Sequence, residues 1–166
     1  MPDWNDIVRK NAVSVLNAAY RILGNLSDAE DVSQEVFAEA FRKWDGKPDQ
    51  QWAGVLKRMS VCRSIDSIRK KQKRASSLTP ELLPDDSNNP LDIAISHEQE
   101  HRLRIAIGNL PPRESEVFCL TYFEQQSSNQ IAELLGMSRP AVATALSKAR
   151  SKLELVFREI STGDSK

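Results

Sequence analysis

NQIAELLGMSRPAVATALSKAR, residues Asn129 to Arg150, reads as two short helices around a tight turn. Ile131, Ala132 and Leu135 share one face of the first helix, and Ala132 is small enough for a second helix to cross closely. Gly136 stands where the chain needs a positive φ, which only glycine adopts without steric cost. Ser138 is a good N-cap, and Pro140 fits because the first helical turn has no intrahelical donors to lose. Val142 and Leu146 then bring the second helix back onto the first. This is the pattern of a helix-turn-helix, in which the second helix enters the DNA major groove and the first crosses the backbone. An ordinary αα-hairpin inside a bundle is the simpler alternative. The small residue, glycine, cap and returning apolar pair all fall at helix-turn-helix offsets.

The chain has 166 residues, 40% of them hydrophobic and 6% aromatic. That suffices for packed cores in one domain or two small ones. No apolar run approaches a membrane span. The first ten residues, MPDWNDIVRK, lack the apolar core of a signal peptide, so a cytoplasmic location is expected. Cys62 and Cys119 are isolated, which argues against a disulfide framework or a thiolate zinc site. The formal net charge of zero hides an asymmetry. Lys57 to Arg74 holds eight Lys or Arg against one acid, Asp66, whereas Ala75 to Glu100 holds six acids and no Lys or Arg. A basic block beside an acidic one points to a localised anion-binding surface, although solvated helix faces also carry charge runs.

Helical periodicity recurs along the whole chain and no stretch reads as a strand. A first helix is predicted from about Asp3 to Leu23, stopped by Gly24. Ser27 to Glu30 has the form of a capping box, with Leu26 placed to staple it. The next helix carries Val32, Val36, Phe37, Ala40, Phe41 and Trp44 on one side and stops at Asp45-Gly46. After a polar loop at Lys47 to Gln51, Trp52, Val55, Leu56, Met59, Cys62 and Ile65 recur at helical spacing, giving a long helix to about Arg74. ASSLTPELLPDDSNN, Ala75 to Asn89, has the composition of a flexible linker. Asn89-Pro90 offers a cap and first-turn proline for a helix through Ile107. Another follows Pro111-Pro112 to about Phe123, and the last helix is lined by Val142, Leu146, Ala149, Leu153, Val156 and Ile160. The expected fold is all-α: a helical domain at 1–74, an acidic tether at 75–89 and a second helical domain at 90–161.

On the basic helix, Arg63, Ser67, Lys70 and Arg74 share a face opposite the apolar stripe. Asp66 can pair along the helix with Arg69 or Lys70 for ~0.3 kcal/mol. The remaining cations, Lys71 among them, would meet phosphates in a salt-sensitive, sequence-independent interaction. The loop before it offers Lys47, Gln50 and Gln51 to hold an unstacked base, in the manner of single-strand binding. Trp52 beside it is expected in the core.

DAEDVSQEVFAEAFRKWD, Asp28 to Asp45, resembles region two of the bacterial extracytoplasmic-function sigma factors. WAGVLKRMSVCRSIDSIRKKQKR, from Trp52, resembles that family's next helix, with Asp66 and Arg69 matching its Asp-x-x-Arg element. LPPRESEVFCLTYFEQQSSNQIAELLGMSRPAVATALSKARSKL, from Leu110, resembles its region four. The set covers most of the chain in the family's order, with the linker in the family's place.

The resemblance implies a promoter-recognition subunit of RNA polymerase that is not itself an enzyme and needs no cofactor or metal. It implies that Asp31, Gln34, Glu35 and Phe37 dock on core RNA polymerase. The loop at Lys47 to Gln51 would capture the melted minus-ten strand, and the basic helix, with Arg63, Arg69, Lys70, Lys71 and Arg74, would hold its backbone. The helix from Arg139 would read the duplex minus-thirty-five element through Arg139, Thr144, Ser147, Lys148 and Arg150. Further partners implied are promoter DNA, duplex and melted, and an anti-sigma factor. The chain departs from the family pattern in three places. Cys62 stands where Asn is usual, Val55-Leu56 stands where Trp-Leu is usual with Trp52 in place of a frequent Phe, and Ala141-Val142-Ala143-Thr144-Ala145 replaces Thr-Val-Lys-Ser-Arg. The alanines favour an alternative, a sigma-like decoy that sequesters an anti-sigma factor. A remoter alternative is a zinc hydrolase, since His97-Glu98-Gln99-Glu100-His101 fits HExxH, histidines one helical turn apart with a glutamate to polarise a bound water. These are the chain's only two histidines, and no strand is available to align a peptide.

Overall fold

Three apolar stripes at the N-terminal end of the chain pack against one another, and they set the first half of the molecule. The computed structural model describes residues 3–44, 52–77 and 91–164, with the side chains of 75–77, 91–97, 157 and 159–164 left outside that description. Among the described residues there are seven helices and no strand. They are α1 Trp4–Leu23, α2 Leu26–Lys43, α3 Trp52–Ser77, α4 Leu91–Asn109, α5 Pro112–Tyr122, α6 Ser128–Leu135 and α7 Arg139–Asp164. Val15, Ala18, Ala19 and Ile22 of α1 meet Val32, Val36 and Ala40 of α2 and Leu56, Val61 and Ile65 of α3, all of them buried. Each large aliphatic in such a position contributes about 1.5–3 kcal/mol relative to exposure.

The helix ends follow local chemistry, with two departures from expectation. α1 stops at Gly24 as predicted, and the φ of 69° there lies in the left-handed region. α2 begins two residues earlier than a Ser27 box would allow. Its N-cap is Asn25, whose Oδ1 accepts from the Asp28 N–H at 3.1 Å. Asparagine and serine cap equally well, and Asn25 follows the glycine turn directly. Leu26 is exposed and follows the cap as the first residue of α2, so it does not stand in the staple position before it. α3 runs to Ser77, past the expected end at Arg74, because Ala75, Ser76 and Ser77 contain no helix breaker.

The second half packs α5, α6 and α7 around Val117, Leu120, Ile131, Val142, Ala149 and Leu153. α6 opens with a reciprocal capping box between Ser127 and Gln130 that the sequence reading did not single out. Gly136 takes φ 65°, and Ser138 Oγ accepts from the Ala141 N–H at 3.2 Å, so the helix-turn-helix forms as its sequence implies. The two halves are packed together rather than held apart on a tether. α3 lies against α4, α5 and α6, and the buried side chains of both halves form one continuous core through Ile68, Ile107 and Leu110. The expected linker, apart from the backbone of 75–77 within α3, lies outside the described residues.

Candidate nucleic-acid interface

α3 places its apolar residues inward and its cations on the remaining surface, but several of those cations have partners. Arg63 donates from Nε to Glu39 Oε2 of α2 at 3.0 Å and lies 3.6 Å from Glu35. Hydrogen bonds first from Lys43 and then from Arg63 hold the Glu39 carboxyl down at about 2, and Glu39 in turn raises the Arg63 guanidinium. This pair therefore stays ionised throughout the neutral range. Lys71 pairs with Asp28. Arg69 meets Asp66 at 3.7 Å along the helix, as expected, but its hydrogen bonds go elsewhere, to Gly108, Leu110 and Ser115 of the second half. Lys70 and Arg74 are exposed.

A groove of about 420 Å³ runs beside this face, lined by Glu39, Lys43, Arg58, Arg63 and Asp66, with Leu134 of α6 on its far side. Lys47, Gln50 and Gln51 lie outside the described residues. Trp52, at the start of α3, is buried as expected, in an aromatic cluster centred on Trp4. Trp4 lies 5.9 Å from Trp52, 5.9 Å from Trp44, 5.3 Å from Phe41 and 6.5 Å from Phe37. Of the residues assigned to polymerase docking, Asp31, Gln34 and Glu35 are exposed on one side of α2, while Phe37 is half-buried edge-on to Trp4.

On α7, Arg139, Thr144, Ser147, Lys148 and Arg150 are all exposed. Arg139 is tied to Asn129 at the start of α6, which couples the N-terminal ends of the two helix-turn-helix helices. Arg150 bonds the Tyr122 hydroxyl and stacks with its guanidinium carbon 5.3 Å from the ring centroid. Ala145 is only 8% exposed and belongs to the core. Of the two alanines at positions where the family pattern has cations, only Ala143 therefore lies on the exposed face.

Arg21, Arg104 and Glu116, whose contacts join the halves, carry no local signal in the sequence. Burial, and then Glu116, push the Cys62 thiol up to about 12, so it is an inert donor rather than a reactive thiolate. Among the described residues no three His, Cys, Asp or Glu gather as a metal site; His101 is exposed. No helix among the described residues is long and apolar enough to cross a membrane.

Two family models match the chain. Sigma-70 region 2 matches residues 7–74 and Sigma-70, region 4 matches residues 101–153. The chain is 30% identical over 156 residues to the ECF RNA polymerase sigma factor SigE of Mycolicibacterium smegmatis, with 92% of this chain aligned. It spans 61% of that relative's length. It is 28% identical over 167 residues to the ECF RNA polymerase sigma factor SigW of Bacillus subtilis, covering 93% of this chain and 89% of SigW. In fold it is similar to CnrH, solved in complex with the cytosolic domain of CnrY, with TM-score 0.59, 22% identity, and coverage of 94% of this chain and 88% of that one. With both sigma regions matched in order and the helical fold shared, the chain belongs to the extracytoplasmic-function family of sigma-70 transcription initiation factors.

Proposed function

We propose that this chain binds core RNA polymerase and directs it to specific promoters, without catalysing a reaction of its own, in the cytoplasm. The observation that carries the reading is the pairing, in one chain, of a cation-rich helix with a capped helix-turn-helix whose second helix exposes Arg139, Thr144, Ser147, Lys148 and Arg150. The first binds phosphate without regard to sequence, and the second fits a major groove. Residues 1–74 form the polymerase and minus-ten domain, 75–89 the linker and 90–161 the minus-thirty-five domain. Asp31, Gln34, Glu35 and Phe37 dock on core polymerase. Lys47, Gln50, Gln51, Arg63, Arg69, Lys70, Lys71 and Arg74 engage the melted strand. An anti-sigma factor is a further partner, as the family resemblance implies; CnrH, similar in fold, is solved in complex with the cytosolic domain of CnrY.

The first test is association. Purified chain and core polymerase should co-elute on gel filtration, and reversing charge at Asp31 and Glu35 together should weaken the complex at least tenfold. A complex that is indifferent to both substitutions would move the docking surface off α2.

A further inference from the structure

We infer that the chain closes on itself through a reciprocal pair of arginine caps, and that closure withdraws Arg69 from DNA until the halves part. The inference rests on the proposed role of the basic helix in strand binding. Arg69, on the first half, donates from Nε to the Gly108 carbonyl at 2.9 Å and from Nη2 to the Leu110 carbonyl at 2.9 Å. Its Nη2 also lies 3.3 Å from Ser115 Oγ. The Gly108 carbonyl lies in the last turn of α4 and the Leu110 carbonyl just past its end, where helix acceptors lack intrahelical donors and the helix dipole is negative. Arg104, on the second half, does the same in return. Its Nε donates to the Ile22 carbonyl in the last turn of α1 at 2.9 Å. Each half thus caps a helix of the other with a guanidinium.

The surrounding contacts are shaped to this closure. Gly24 ends α1 directly beneath Arg104, and a Cβ there would stand 2.4 Å from the guanidinium carbon. Gly108 lets α4 approach α3 so closely that a Cβ would meet Ile68 Cγ2 at 2.8 Å. Gln72 Nε2 donates to the Ile105 carbonyl at 3.1 Å. Arg21 reaches Glu124 at 3.0 Å, and the Glu124 side chain is only 1% exposed. A guanidinium is a planar fork with a fixed set of donors. With Nε and Nη2 of Arg69 committed to helix-end acceptors, that edge cannot also clasp a phosphate. Strand binding and closure therefore compete for one side chain, and a partner that binds only the open form shifts the population by its differential affinity.

The test uses two substitutions in the full chain, Arg104→Gln and Gly108→Val, both away from the residues proposed to touch DNA. Small-angle scattering reads the radius of gyration, and fluorescence anisotropy reads affinity for a labelled 20-nucleotide single strand at fixed low salt. Both variants should expand. If about one wild-type chain in ten is open, each should bind the strand up to roughly tenfold more tightly. Circular dichroism checks helix content, and Arg104→Gln alone decides the matter if Gly108→Val does not fold. Variants with native helix content that fail to expand would overturn the latch. Expansion with unchanged affinity would overturn the competition for Arg69 while leaving the strand-binding reading intact. Absence of strand binding in wild type and expanded variants alike would overturn both.

Discussion

Ser60 and Ser64 sit one turn apart on α3 and are both fully buried. Ser60 Oγ donates to the Val15 carbonyl of α1 at 2.8 Å, tying two helices of the first bundle. Ser64 Oγ has no hydrogen-bond partner among the described residues. Removing a made bond and removing an unmade one have opposite consequences. Ser60→Ala should lower unfolding stability by about 1 kcal/mol, whereas Ser64→Ala should be neutral or raise it by a similar amount. Urea denaturation of both variants checks this, and equal losses would show that Ser64 has a partner. At this scale the sequence was legible where the physics is local. Gly24, Gly136, Ser138 and Pro140 each answer to the backbone next to them, and each stands where its chemistry implies. Asn25 rather than Ser27 caps α2, and the sequence does not separate them, since two good caps lie within three residues and only the turn geometry decides. Arg69 was not legible in full. Asp66 was visible as its neighbour, but carbonyls about forty residues away leave no local pattern.

At the scale of the element, α3 and α7 carry the two modes of DNA binding proposed here. Changing Lys70 and Arg74 to Ala should remove about two phosphate contacts and reduce the salt slope by roughly 0.7–0.9 for each. The loss should be equal for cognate and unrelated single strands, and a slope unchanged in a folded variant would mean this face of α3 does not meet DNA. On α7 the expectation concerns specificity. Each bidentate base contact contributes about 1–3 kcal/mol of discrimination, and the exposed face has alanine at 143 where the family pattern has a cation. Arg139 and Arg150 are further restrained by Asn129 and Tyr122. Scrambling the upstream element of a mapped promoter should therefore reduce initiation modestly, and scrambling the downstream element should abolish it. A more damaging upstream scramble would mean that α7 reads methyl groups or DNA shape. The pattern of the recognition helix was legible from spacing alone, but the inward turn of Ala145 was not, because alanine fits either a core or a surface.

At the scale of the molecule, zero net charge conceals a division of labour between a basic helix and the acids around it. The helices themselves followed from periodicity, glycines and prolines. The packing of the halves did not. A Pro- and Ser-rich segment says that the chain between two units lacks a core of its own, not whether the units find each other. That depends on Gly108, Ile68 and the arginine caps, which are non-local. The proposed role of the chain is to turn core polymerase into a promoter-specific enzyme. The most direct measurement is in-vitro transcription with core polymerase on genomic fragments, followed by mapping of transcript starts. Adding the chain should produce discrete starts, each preceded by shared sequence near minus ten and minus thirty-five, that core polymerase alone does not make. A chain that binds core polymerase yet yields no new start on any fragment would contradict the account and favour the decoy.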